Sequence, residues 1–373
     1  MLRKRAFYLH CPAGDIGHPV HLLRLLSALE RAGRGRNLIF LRSPSIYPLS
    51  CFSRFGEVVR LRGVPSAASG RRVADRLAAF GPGVFVTEFY PLGRAECRSE
   101  LEPALAAARA AGCRLVSSVP MPYFTAPAAE LPALLASCLR YDRILVHSPA
   151  GADLTYMAKA VGLERRVSPA AFSAFFRSLG RRAVFTGYLM PGSLPARRRG
   201  CYVLAARGGG STSAALIEAS IGSAVLTGLP LVAVAGPASG AVEMRRFRRL
   251  AAAAGPGVRL LRESRDLPAL IAAASACVST AGGSVYEMLA LRKPMVLAPY
   301  CGARLHEHSD QLARAWLMRD AAGAELLLPA AVTPAGVAAA LRRVMAAPQR
   351  TSPSVKHSWF AGARRSAEVI CAL

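Results

Sequence analysis

Short apolar runs alternate with longer stretches whose apolar positions recur at helical spacing, from one end of the chain to the other. AFYLH, NLIFL, VVRL, GVFVTEF, RLVSSV, RILVHS and AVFTGYL in the first half predict β-strands, as do YVLAA, LVAVAG, VRLL, ACVST, PMVLAP and ELLL in the second. The stretches between them, such as HLLRLLSALERAG, predict amphipathic helices that end in glycine. Strand-helix-strand repetition of this kind predicts an α/β protein with parallel sheets covered by helices on both faces. Right-handed crossovers then leave ligand sites at the carboxyl ends of the strands.

The pattern restarts once. At MPGSLPARRRG (Met190 to Gly200) two prolines, two glycines and three arginines interrupt the alternation, and a new strand begins at Cys201. This predicts two Rossmann-like domains, 1–187 and 201–350, joined by a linker over 188–200. A second break, AAPQRTSPS, sets off a helical segment over 351–373 that could cross back to the first domain. Clefts between two such domains are where ligands usually bind.

Composition narrows the partners. The 373 residues, 53% hydrophobic, suffice for two ordinary cores. The longest apolar stretches are broken by Gly and Pro well short of the ~20 residues of a membrane span. The basic start, MLRKR, leads into an apolar run too short for a signal peptide and reads as a first strand. Nine scattered cysteines without a CxxC pair speak for a reducing compartment and against a zinc site. The net charge is +26, with only four lysines. That excess either attracts anionic lipid or a phosphorylated substrate, or simply solubilises an Ala/Arg-rich surface. RRFRR (Arg245 to Arg249) lacks interleaved aromatics and any nucleic-acid module, so no nucleic-acid partner is expected.

Three glycine turns follow predicted strands and open predicted helices. The first holds Gly14, Gly17 and His18, the second Gly208, Gly209, Gly210, Ser211 and Thr212, and the third Gly282, Gly283 and Ser284. Helix N-termini present unpaired N–H groups and a partial positive charge, which favours phosphate, and glycine admits close approach. A single such turn can equally be a tight connection and nothing more. None matches GxxxxGK[ST], and none gives GxGxxG with an acidic residue about 20 positions on. Glu287 follows the third turn. In a helix starting near Gly283 it would stand about 6 Å along, where a carboxylate could hold a ribose diol while the diphosphate caps the helix. Alternatively it serves only the helix dipole.

STAGGSVYEMLALRKPMVLAPY followed by HEHSDQLARAW resembles the nucleotide-recognition segment of two-domain GT-B glycosyltransferases, most closely the MurG-like branch and its bacterial relatives. TEFYPLGR, ILVHS and FTGYL extend the resemblance over most of the chain. The resemblance implies a GT-B fold, two doubly wound domains facing across a cleft. It makes Glu287 the ribose ligand, and it turns Gly282, Gly283 and Ser284 towards the diphosphate. Gly209, Gly210 and Ser211 become the loop that closes on the phosphates. Asp310 and Gln311 become the pair that reads the donor sugar, and His18 the histidine of the N-terminal glycine loop. That first loop reads GDIGHP, unlike the GGTGGH typical of MurG, so the acceptor does not carry over.

The chemistry expected is transfer of a sugar from a UDP- or dTDP-sugar, inverting and metal-independent, with no cofactor beyond the donor. Backbone N–H groups can stabilise a leaving diphosphate without the DxD motif that the chain lacks. His306 and His308 flank Glu307, and read as a solvated loop preceding the helix in preference to a metal site. His18 is the candidate base. Glu88 ends a strand and either assists it or pairs with Arg94. His147 is expected to line the cleft, and Tyr123 and Phe124 either shape the acceptor side or pack in the core. A nucleotide-sugar hydrolase and a non-catalytic nucleotide-sugar binder are the competing functions. The acceptor, a lipid-linked compound or a small molecule, would set the location: cytoplasmic, and peripheral at the inner face of the membrane if the acceptor is lipid-linked.

Overall fold

The computed structural model of the protein describes residues 3–10, 17–33, 35–42, 50–164, 166–198, 200–208, 213–264, 266–299, 309–347 and 351–373. The chain forms two compact units, 1–192 with 357–373, and 193–356. Strands β1 (Arg3–His10), β2 (Gly35–Arg42), β3 (Glu57–Arg60), β4 (Val84–Glu88), β5 (Arg114–Val119), β6 (Arg143–Val146) and β7 (Ala183–Phe185) form the sheet of the first. Strands β8 (Tyr202–Ala206), β9 (Leu231–Val234), β10 (Val258–Leu261), β11 (Ala274–Ser279), β12 (Met295–Leu297) and β13 (Glu325–Leu326) form that of the second. Every one of these strands overlaps a predicted run, with β1, β2, β3 and β11 starting one to three residues earlier, and every pairing is parallel.

The strand orders are β3-β2-β1-β4-β5-β6-β7 and β10-β9-β8-β11-β12-β13. Both reverse direction once, between β1 and β4 and between β8 and β11. Crossovers leaving the two central strands depart to opposite faces, so the carboxyl ends there stay open to a ligand. The registers bring those ends level, with Tyr8 beside Thr87 in the first sheet and Ala206 beside Ser279 in the second. Among the described residues no helix is long and apolar enough to cross a membrane.

Helices cover the sheets through apolar stripes. In the helix Gly17–Ala32, Leu22, Leu25, Leu26 and Leu29 are buried at helical spacing. They share a core with Ala363, Ala367 and Ile370 of the last helix, Gly362–Ala372, which therefore belongs to the first unit. Close approach fixes that helix in place: a Cβ on Gly362 would stand 2.0 Å from the Gly187 carbonyl oxygen, a position only glycine can fill.

His147 follows β6 and lies in the interior of this unit, not on the lining of a cleft, because β5, residue 186 after β7 and the last helix close around it. Nε2 is 2.7 Å from Ser118 Oγ, and Nδ1 is 3.0 Å from Thr186 Oγ1 and 3.3 Å from Ser366 Oγ. Burial pushes its pKa down to about 3, so it folds as a neutral imidazole.

That depressed value makes stability depend on pH. The unfolded chain binds a proton near pH 6.5 and the folded chain only near 3, so the contribution of His147 is complete above pH 6.5 and falls as pH drops through that window. The slope approaches ~1.4 kcal/mol per pH unit. In urea unfolding at pH 7 and pH 5, the stability lost on acidification should be smaller in His147→Gln than in the wild-type protein. Equal losses would contradict this account of the buried ring.

Candidate functional site

In the first unit, His18 is the second residue of the helix after β1, and Glu88 is the last residue of β4. Both stand at the reversal point of the sheet. His18 Nδ1 contacts Glu88 Oε1, while Arg94 lies 3.9 Å from Glu96. Glu88 is only 4% exposed, and its Oε2 has no hydrogen-bond partner among the described residues. A carboxylate accepting from Nδ1–H fixes the tautomer that leaves Nε2 as a proton acceptor. Of the two sequence readings of Glu88, the geometry brings it to His18.

The next residue holds the ring from the side. Phe89 adopts φ 61°, a left-handed conformation that costs a non-glycine residue about 1–3 kcal/mol. Its N–H donates to the Ser118 carbonyl (2.8 Å), and its carbonyl accepts from Gly93 N–H (2.7 Å). The Phe89 ring lies 5.6 Å from the His18 ring and stacks on Tyr123 at 6.3 Å. Gly93 makes room for it, since a Cβ there would stand 2.5 Å from the Phe89 ring edge. Tyr123 and Phe124 part company: Tyr123 joins this row of rings, and Phe124 packs in the core against Phe172 and Phe175 at 4.9 and 4.8 Å. Gly17 opens the helix, and Gly14 lies outside the described residues.

In the second unit, the turn with Gly282, Gly283 and Ser284 follows β11 and leads into the short helix Val285–Ala290. That helix starts later than expected, because Ala281 at φ 59° and a turn at residues 283–284 carry the reversal. Glu287 is thus its third residue, about 3 Å along the axis instead of 6. The side chain is buried, 3% exposed. A carboxylate near a helix N-terminus gains only about 0.3–1 kcal/mol from the dipole, whereas taking it out of water costs several. Burial therefore disfavours a purely dipolar role.

The turn is braced by side chains that the sequence reading did not single out. Thr280 Oγ1 donates to the carbonyl of Arg207 (3.0 Å), the residue that leads from β8 into the second glycine loop. Arg207 is itself buried, forked onto Glu243 at 2.8 and 2.6 Å and donating to Ser239 Oγ (2.7 Å). Gly208 takes φ 82°, while Gly209, Gly210, Ser211 and Thr212 lie outside the described residues. From the other side, Arg314 Nη1 donates to the Ala281 carbonyl (2.7 Å), and Nη2 contacts Asp310. Asp310 and Gln311 open the helix Ser309–Ala322; His306, Glu307 and His308 lie outside the described residues. The signals were Arg207 directly before the glycines and Arg314 four residues after Asp310, both hidden in an arginine-rich background.

Among the described residues, one group has the donor atoms for a metal: His10, Glu96 and Cys97, within 4.8 Å of one another. Burial pushes the Cys97 thiol up to about 12, and the Arg94 guanidinium stands beside Glu96, both adverse to a cation.

Two parallel sheets with a site-bearing reversal point in each define the architecture of GT-B glycosyltransferases. Acinetobacter baumannii MurG superimposes with a TM-score of 0.58 at 14% identity over 99% of this chain and 98% of that one. Arabidopsis thaliana UGT89C1, complexed with UDP-L-rhamnose, gives 0.61 at 12% identity over 99% and 98%. Residues 209–369 match the glycosyltransferase family 28 C-terminal domain. The UDP-N-acetylglucosamine–N-acetylmuramyl-(pentapeptide) pyrophosphoryl-undecaprenol N-acetylglucosamine transferase of Rhodopseudomonas palustris (strain HaA2) is 37% identical over 91 residues, a stretch spanning 24% of either protein. The fold is that of GT-B glycosyltransferases, and the family 28 C-terminal match falls on residues 209–369.

The Arg207 fork can be tested by stability alone. Arg207→Ala leaves Glu243 and Ser239 without their partner and should cost ~3–5 kcal/mol in urea unfolding. A loss below 1 kcal/mol would contradict the bracing role.

Proposed function

We propose that the protein transfers a sugar from a UDP- or dTDP-sugar to an acceptor hydroxyl by direct displacement, with His18 as base. The observation that carries this reading is the contact of His18 Nδ1 with the Glu88 carboxylate. Glu88 orients the ring and stabilises the imidazolium that forms when Nε2 takes the acceptor proton. The freed alkoxide attacks the anomeric carbon, the bond from that carbon to the diphosphate oxygen breaks, and the diphosphate leaves with the electron pair. A single displacement inverts the anomeric centre.

In the second unit, the glycine turn after β11 supplies N–H groups to the departing diphosphate. Glu287 accepts from the ribose diol, and Asp310 with Gln311 meets the sugar hydroxyls. The chain has no DxD pair, so the diphosphate is held without a divalent ion. The activity of the Rhodopseudomonas relative and the UDP-L-rhamnose of the plant enzyme support a nucleotide-sugar donor.

Purified protein should bind UDP or dTDP equally well with and without EDTA. Glu287→Ala should weaken that binding ~10–100-fold, the worth of hydrogen bonds to a charged group. With a panel of soluble alcohols and a sugar-bearing polyprenyl diphosphate as acceptors, His18→Ala and Glu88→Gln should lower acceptor-dependent turnover ~10²–10⁴-fold and leave nucleotide affinity unchanged. Rapid nucleotide release without any acceptor would make the protein a hydrolase. Binding without turnover on every acceptor would make it a binder only.

A further inference from the structure

Arg314 touches two parts of the donor site at once. From the helix Ser309–Ala322 its Nη1 donates to the Ala281 carbonyl at 2.7 Å, and its Nη2 contacts the carboxylate of Asp310 one helical turn earlier. Its side chain is 12% exposed, that of Asp310 31%. Ala281 is fully buried at φ 59°, immediately before Gly282 and Gly283. A planar guanidinium holds two acceptors in a fixed relation that a flexible ammonium or a neutral amide does not reproduce.

We propose that Arg314 is a positioning residue that locks the glycine turn and Asp310 into one register, so that diphosphate and donor sugar are recognised as a unit. The proposal rests on the reading that this unit binds a nucleotide-diphosphate sugar. Three features of the structure support it. The carbonyl that Arg314 holds belongs to the one left-handed residue of the turn, so its orientation sets where the following N–H groups aim. The carboxylate it holds is partly exposed, so it stays accessible to hydroxyl donors while Arg314 fixes it. Thr280, bonded to Arg207, braces the same turn from the side of the second loop, so loss of Arg314 loosens one anchor of two and leaves the fold standing.

The reading is tested with the full chain and three kinds of probe: uridine or thymidine, UDP or dTDP, and whichever of UDP-glucose, UDP-galactose, UDP-N-acetylglucosamine, dTDP-glucose and dTDP-rhamnose the wild-type protein binds most tightly. Affinities come from calorimetry, and from ligand-observed NMR for the nucleosides. Arg314→Gln should weaken the nucleoside diphosphate about tenfold and the sugar nucleotide about a hundredfold, and leave the nucleoside within about twofold. Asp310→Asn should weaken only the sugar nucleotide. The double variant should bind it no worse than Arg314→Gln alone, because the two side chains act through one contact. Arg314→Lys, which keeps the charge but loses the planar fork, should recover little of the affinity for the diphosphate.

Wild-type affinity for the diphosphate and sugar nucleotide in Arg314→Gln would overturn the proposal. So would an equal loss for the nucleoside, which marks general damage, or strictly additive losses in the double variant. A wild-type protein that binds none of the nucleotides would overturn the donor-site reading itself, and the proposal with it.

Discussion

A parallel sheet whose strand order reverses leaves two neighbouring carboxyl ends with their outgoing connections on opposite faces. No crossover covers the space beyond them, and backbone N–H groups and side chains of the two loops face into it. Most of the candidate residues depend on that constraint. His18 lies in the helix that follows β1 and Glu88 ends β4, the reversal pair of the first sheet. Gly208 follows β8, and Gly282, Gly283 and Glu287 follow β11, the reversal pair of the second. Segments some 70 residues apart in sequence thus meet at adjacent strand ends without any long-range design beyond strand order.

Open strand ends must still be held in shape, because loops there carry left-handed backbone and buried charge. Phe89 and Ala281, at φ 61° and 59°, sit directly after Glu88 and directly before Gly282. Neither conformation would persist without partners, and each has them: Ser118 and Gly93 at Phe89, Arg314 at Ala281. The buried guanidinium of Arg207 has acceptors from three residues, so it rigidifies the approach to the second glycine loop instead of weakening it. His147 shows the same economy with hydroxyls alone, a neutral ring that joins β5, residue 186 and the last helix.

The fold was legible because its signal is local and repeated: apolar runs such as NLIFL and LVAVAG punctuated by helical stretches mark each strand. Glu88 and His18 were legible as strand-end and helix-start residues, and their contact follows from strand order, which periodicity alone does not carry. Three things were not legible. The start of the short helix depended on Ala281 taking a left-handed turn, a conformation that alanine does not advertise. His147 looked like a rim residue because the sequence around it ends a strand, while its burial comes from a helix more than 200 residues later. Arg207 and Arg314 were indistinguishable from the many solvated arginines of a chain with a net charge of +26, since only tertiary contacts separate them.

The central claim is that a nucleoside diphosphate occupies the reversal point of the second sheet. Amide hydrogen exchange on the full chain, with and without saturating UDP or dTDP, tests it without reference to turnover or to any variant. Slowed exchange concentrated in residues 207–214 and 280–288 is the predicted result. Protection confined to other segments, with these two unchanged, would contradict it.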